Sequence, residues 1–201
     1  DEIYMTTKLD GAKTFFLSFN LGNNFGKGNP ANPFGHKTAY FWQEILKKES
    51  IANIIQHFVR FDGGEKEPLS KKTLYFPRYH QLDVVRRLMK DTSSNGAGKK
   101  YLIQHSAGSG KSNSITWLAY QLIEVYPENT NSAKNKDSNE PLFDSVIVVT
   151  DRRLLDKQLR ENIKDFSEVK NIVAPAYSSS DLKSALENGK RIIVTTIQKF
   201  P

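Results

Sequence analysis

Cysteine is missing from the 201-residue chain, which rules out disulfide staples and thiolate-held metals and fits a reducing compartment. Long apolar runs are missing too. None approaches the roughly 18 residues that a membrane-crossing helix requires, and the opening DEIYMTTK has no basic-then-apolar signal layout. These absences lead to the expectation of a soluble, cytoplasmic protein with no membrane partner. Histidine is scarce, and the four present (His36, His57, His80 and His105) have no ligand spacing, so no structural metal is expected.

Acid is in short supply relative to base. Lys and Arg number 29 against 22 Asp and Glu, for a net charge of +7, a balance that favours polyanionic partners such as nucleic acid. The hydrophobic content of 38% is that of an ordinary globular chain, and the length suits one principal domain with an appendage.

Along the first third, residues 3–9 and 14–19 are β-rich and are separated by Asp10-Gly11-Ala12-Lys13, a hairpin signal. Residues 20–35 form a loop rich in Asn, Gly and Pro. Residues 38–48 read as a helix. Ser50 is placed to cap a second one, whose apolar face is Ile51, Ile54, Ile55 and Phe58. Residues 62–72 read as a linker.

From about residue 74 helices and strands alternate, which predicts an α/β lobe with a parallel sheet after a small α+β segment. A helix begins near Tyr79, with Leu82, Val85, Leu88 and Met89 on one face, and 93–99 read as a polar turn. A strand is predicted at 101–105 and a helix from Lys111 with a stripe of Ile115, Leu118, Ala119 and Leu122. Residues 127–141 are a polar insertion expected to be mobile. The run Val146-Ile147-Val148-Val149 predicts a strand covered on both faces. A helix over 152–166, a short strand at 171–174, a helix from about Ser180 and a strand at 191–195 follow.

The segment His105-Ser106-Ala107-Gly108-Ser109-Gly110-Lys111-Ser112 lies between a predicted strand and an amphipathic helix. Triphosphates are cradled by main-chain amides, which need glycine where a Cβ would obstruct them, and by the positive end of the following helix. Ala107, Gly108, Ser109 and Gly110 would form that cradle, Lys111 would meet the β and γ phosphates, and Ser112 would ligate Mg2+. The pattern G-x-x-x-x-G-K-[ST] is broken at its first position, where His105 replaces glycine.

Gln81, in the run Phe76-Pro77-Arg78-Tyr79-His80-Gln81, carries a donor and an acceptor that suit an adenine edge; ordinary packing at a helix start is the other reading. Arg152 and Arg153 follow the 146–149 strand, and Thr195-Thr196 end the last one. Residues at the carboxyl ends of parallel strands face a ligand crevice and can reach phosphates, or else act as solvated charges and helix caps.

These residues together resemble the first, RecA-like motor lobe of superfamily 2 helicases and translocases. FPRYHQLDVVRRL, YLIQHSAGSGKS, VIVVTDRRLLDKQL and VTTIQKF look like the restriction subunit of type I restriction enzymes, as do MTTKLDGAKTFFLSFN and the GNP-containing loop after it. In that family the glycine-poor first loop position is usual. The resemblance implies an ATP-dependent double-stranded DNA translocase and endonuclease that works with specificity and methyltransferase subunits. Gln81 would then read adenine, Lys111 and Ser112 would hold magnesium-ATP, and Arg152, Arg153 and Thr196 would touch DNA.

On that reading residues 1–72 are the end of a nuclease domain and its linker, and 73–201 a motor lobe truncated before its acidic, Walker B motif. Nuclease residues are expected ahead of residue 1, and Glu168-Val169-Lys170 is read as surface. The alternatives are a non-catalytic module that binds nucleic acid under nucleotide control and a P-loop kinase, which would leave Gln81 and the arginine pair idle.

Overall fold

The computed structural model describes residues 1–62, 67–128, 140–151, 163 and 172–200. The chain divides into two compact units, Asp1–Asp83 and Val84–Pro201.

In the first unit the expected hairpin forms, with only two residues in each strand. β1 (Tyr4–Met5) pairs antiparallel with β2 (Leu17–Ser18). The Thr14 hydroxyl accepts from the Asp10 amide and donates to the Gly11 carbonyl, 2.8 Å in each case, and so closes the turn. Loop 20–35 has little apolar material and is organised by a buried amide instead. Asn29 Oδ1 accepts from the Leu21 amide at 2.9 Å, and its Nδ2 donates to Asn20 Oδ1 at 2.9 Å and to the Asp1 carbonyl at 3.2 Å.

The helix expected over 38–48 is largely one wide π turn, Phe41–Ile45, closed by the Leu46 amide on the Phe41 carbonyl at 2.8 Å. The next helix, α1 (Lys48–His57), starts before Ser50, so Ser50 does not cap it; Lys47 holds the cap position without a side-chain bond. Ile54 and Phe58 are fully buried and Ile51 half-buried, but Ile55 is 61% exposed. It lies one helical step of about 100° from Ile54, which turns it off the narrow buried stripe.

The stretch read as a linker is the connection of a second hairpin. β3 (Arg60–Asp62) pairs antiparallel with β4 (Thr73–Tyr75), and the guanidinium of Arg60 lies 4.6 Å from the ring centroid of Tyr75, its cross-strand partner. Three-residue strands are too short to show alternation, so no periodicity announces them.

The aromatic core of this unit centres on Phe19, whose ring meets Phe41, Phe76 and Tyr79 at 5.8–6.2 Å between centroids. The Tyr40 hydroxyl donates to the Phe19 carbonyl at 2.5 Å. Burial, followed by the neighbouring Tyr79, pushes the Tyr40 phenol up to about 12.

Helix α2 (Tyr79–Asn95) runs through the first residues of the expected polar turn. Beyond it, α3 (Lys111–Leu122), β5 (Val146–Thr150), β6 (Val173–Pro175), α4 (Ser179–Glu187) and β7 (Ile192–Thr196) build a parallel sheet of order β5-β7-β6. Central β7 is buried along its whole length. Ile192 and Val194 pack with Ala119, Ile123 and Val148, while Ile193 packs with Leu182 and Ala185. One face therefore carries α3 and the other α4, the layering of a RecA-like α/β lobe. α4 opens with a reciprocal cap: Ser178 Oγ accepts from the Asp181 amide at 3.1 Å, and Asp181 Oδ2 accepts from the Tyr177 amide at 3.1 Å.

Two strand expectations need correction. Residues 101–105 form no strand, and Leu102 is 94% exposed. A strand is stable only through a neighbour's ladder, and none of the described strands pairs with this segment. It is anchored at its start, where the Tyr101 hydroxyl and the Lys99 ammonium both donate to the Asp91 carboxylate. Those bonds, Lys99 first, hold the Asp91 carboxyl below its ordinary value. β5 is not covered on both faces: Val148 is buried with the α3 layer, but Ile147 and Val149 on the opposite face are exposed.

Of the helix expected over 152–166 only Ile163 is described; it is fully buried, and its carbonyl accepts from the Tyr120 hydroxyl at 2.7 Å. Arg152, Arg153, Glu168-Val169-Lys170 and the centre of the 127–141 insertion lie outside the described residues.

Candidate phosphate-binding site

The loop before α3 is a turn whose two glycines adopt a left-handed backbone. Gly108 has φ +72 and Gly110, the N-cap of α3, has φ +79. The Ser109 amide donates to the Ser106 carbonyl at 3.3 Å, and the Asn113 amide returns to the Gly110 carbonyl at 3.1 Å. A Cβ at Gly108 would meet no heavy atom within 4 Å. The glycine is therefore required by its dihedral angle and not by crowding from the chain itself, a different reason from the obstruction argument. The space above it is open.

Lys111, the first residue of α3, is exposed and folds back over the loop. Its ammonium donates to the carbonyls of Ser106 at 2.8 Å and His105 at 3.3 Å. Ser112 follows on the first turn, and its carbonyl accepts from Thr116 Oγ1 at 2.8 Å. Ala107 is exposed and Ser109 buried. The predicted cradle residues, Ala107, Gly108, Ser109, Gly110, Lys111 and Ser112, are thus gathered at the amino end of a twelve-residue helix, where main-chain N–H groups and the helix dipole favour an anion.

An open turn, a glycine N-cap and an adjacent ammonium fit a nucleotide's phosphates. Ser112 would offer one hydroxyl to Mg2+, and no group of three or more His, Cys, Asp or Glu that could hold a metal ion occurs among the described residues. Mg2+ would accordingly take most of its oxygen ligands from phosphate and water. Beside the loop lies a groove of about 280 Å3, lined by Val85 and Leu88 of α2, Ile103, and Ile115 and Leu118 of α3 together with His105, Lys111 and Ser114. The hydroxyl of Ser114 is buried there without a hydrogen-bond partner.

Gln81 belongs to the first unit. It is 3% exposed, and its Oε1 accepts from the Arg78 amide at 2.9 Å. As the third residue of α2 it makes the side-chain half of a capping box, which is the helix-start role weighed against adenine contact.

Thr196 ends β7 opposite Thr150 of β5 and is buried. Just past it, Gln198 Nε2 donates to the Asp151 carbonyl at 3.1 Å. Sequence reasoning missed this contact, because a side chain reaching a carbonyl 47 residues away leaves no periodicity or spacing to detect.

Residues 80–201 match a family described as SWI2/SNF2 ATPase. Among curated proteins, the chain is similar to the type I restriction enzyme HindI endonuclease subunit of Haemophilus influenzae, with 27% identity over 160 residues. That match covers 78% of this chain and 14% of the relative, so the chain spans about one seventh of the protein it resembles.

Proposed function

The chain belongs to the SWI2/SNF2 ATPase family, and from that premise we propose that it is part of the ATP-driven DNA motor of a type I restriction enzyme. The observation that carries the reading is the loop at Gly108 to Ser112: a left-handed glycine cap at a helix amino end with the Lys111 ammonium resting on the loop carbonyls. The similarity to a restriction endonuclease subunit supports the enzyme class.

In this proposal the amides of 107–112 receive the phosphates, Lys111 neutralises their charge, and Ser112 contributes a ligand to Mg2+. Bound Mg2+ supplies charge neutralisation across the β and γ phosphates. Gln81 donates to and accepts from the adenine edge while capping α2. Arg152 and Arg153, which follow β5 in the chain, and Thr196, the last residue of β7, contact double-stranded DNA. Specificity and methyltransferase subunits are the partners, and cleavage belongs to the whole protein, which is cytoplasmic. Residues 1–72 join the nuclease part to the motor lobe that begins near residue 73.

The test is nucleotide hydrolysis by the intact protein, with and without duplex DNA. Hydrolysis stimulated by DNA and lost in Lys111→Ala supports the motor. Nucleotide binding that alters DNA affinity with no turnover points instead to a non-catalytic, nucleotide-switched binding module.

A further inference from the structure

Loop 20–35 displays its phenyl rings instead of burying them. Phe25 stands fully in solvent, and Phe34 is 96% exposed. The backbone that carries Phe25 is strained as well as open. The Gly26 amide donates to the Asn23 carbonyl at 2.7 Å and the Asn23 amide to the Gly26 carbonyl at 3.1 Å, so Asn24 and Phe25 are the central residues of a tight hairpin turn. Both have positive φ, +45 at Asn24 and +63 at Phe25. Asparagine tolerates that region and glycine is preferred at the second position, whereas a bulky residue there is an outlier. The fold thus holds a phenyl ring in water, on a strained backbone, where glycine would serve the turn better.

The turn is anchored at its base. The Gly22 amide donates to the Gly28 carbonyl at 2.9 Å, and buried Asn29, next in the chain, is bonded to Leu21, Asn20 and Asp1. Phe34 sits on a second short turn, where its amide donates to Asn32 Oδ1 at 3.0 Å and Asn32 Nδ2 donates to the His36 carbonyl at 3.1 Å. Charge selects the partner. Residues 11–43 contain Lys13, Lys27 and Lys37 and no Asp or Glu. Lys37 has Asp1 at 3.9 Å, while Lys27, two residues past Phe25, is exposed. A displayed ring close to an ammonium, in a stretch without acid, suits a polyanion that also has flat apolar faces. Unpaired nucleic acid offers both, whereas a duplex keeps its base faces stacked inside.

We propose that loop 20–35 binds single-stranded nucleic acid, with Phe25 and Phe34 each a stacking platform for a base and Lys27 meeting the backbone phosphate. The site shares no residue with the phosphate cradle, and it does not rest on the duplex contacts proposed for Arg152, Arg153 and Thr196. Stacking needs only the π face that every base has, so the site is indifferent to sequence. A ring already fixed at the tip of an anchored turn gives up little freedom on binding.

The experiment titrates the intact protein, without nucleotide, with fluorescently labelled oligothymidylate and separately with a duplex of equal length. Phe25→Gly removes the ring and relieves the backbone. It is expected to lose about tenfold in single-strand affinity, with duplex affinity unchanged and a melting temperature no lower than the parent's. Phe34→Ala is expected to lose single-strand affinity to a similar extent, and Phe25→Tyr, which keeps a stacking face, to retain it. Single-strand affinity unchanged in Phe25→Gly and Phe34→Ala overturns the proposal, as does an equal loss on single strand and duplex. A joint fall in single-strand affinity and melting temperature in Phe25→Gly also overturns it, because the ring would then serve the fold. A parent that does not hold oligothymidylate overturns it and leaves the motor reading standing, since DNA-stimulated hydrolysis tests that separately. Impaired assembly with specificity and methyltransferase subunits, with single-strand affinity intact, overturns it in favour of a protein-docking loop.

Discussion

The ammonium of Lys111 and the carbonyl of Ser106 are 2.8 Å apart, so the lysine is held by a neutral acceptor of its own chain. Hydrogen bonds to ionised acceptors are about twice as strong as those to neutral ones. On the proposed reading a nucleotide phosphate is therefore the stronger partner for the lysine. Lys111→Ala is expected to weaken magnesium-ATP binding by about a hundredfold or more, on the order of 3 kcal/mol. Because Lys111 is exposed, the melting temperature should stay within about a degree or two of the parent. Calorimetric titration with magnesium-ATP and a thermal melt check both parts, and unchanged nucleotide affinity would remove Lys111 from the site.

The left-handed backbone at Gly108 leads to a different substitution pattern. With no heavy atom within 4 Å of an added Cβ, Gly108→Ala should cost only the dihedral strain, about 1–2 kcal/mol. Gly108→Asn should cost less, since asparagine enters the left-handed region more readily. Chemical denaturation of the two variants ranks them. Equal, larger losses would mean that crowding and not φ demands the glycine.

Gln81 joins a structural role to a proposed recognition role, and two substitutions separate them. Gln81→Ala removes the acceptor from the Arg78 amide and should destabilise α2 by about 0.5–2 kcal/mol. Gln81→Glu keeps that acceptor but loses the amide donor, so the melting temperature should hold while the preference for ATP over GTP falls. Nucleotide competition assays at neutral pH measure the preference. A retained preference in Gln81→Glu would confine Gln81 to its helix cap.

Tyr40 makes a pH prediction. Its folded-state value, pushed up to about 12, exceeds the ordinary tyrosine value near 10, so the fold favours the protonated phenol. The associated stability is fully present below about pH 10 and disappears as pH rises through 12. Tyr40→Phe should flatten that alkaline limb and also lose the bond to the Phe19 carbonyl, at a cost of about 1–3 kcal/mol. Ultraviolet titration of phenolate and denaturation at several alkaline pH values test this, and an alkaline titration curve unchanged by Tyr40→Phe would assign the shift elsewhere.

Much of the site could be read in advance because its requirements are local. A glycine that must adopt positive φ, a lysine one residue later and a helix beginning there occupy consecutive positions, so Gly108, Gly110 and Lys111 carry their chemistry in their order. The apolar run at β7 and the serine-to-aspartate cap of α4 are equally short-range. Gln81 is legible as a candidate residue with helix-start packing as the other reading, but its bond to the Arg78 amide depends on where α2 begins, which only the structure shows.

By itself the sequence determined the class of this chain: alternating elements make an α/β lobe, and the spacing of glycines and lysine makes a glycine-capped helix start with an ammonium beside it. Only the tertiary structure decided which apolar stretches become sheet. Ile192 to Thr196 is buried between two neighbours, whereas residues 101–105, comparably apolar, join none of the described strands. A strand is a property of the pair and not of the segment, because its backbone donors and acceptors are satisfied by another chain segment. For the same reason the tie between Gln198 and Asp151 became visible only in three dimensions: two exit turns far apart in sequence adjoin because β5 and β7 are neighbours in the sheet.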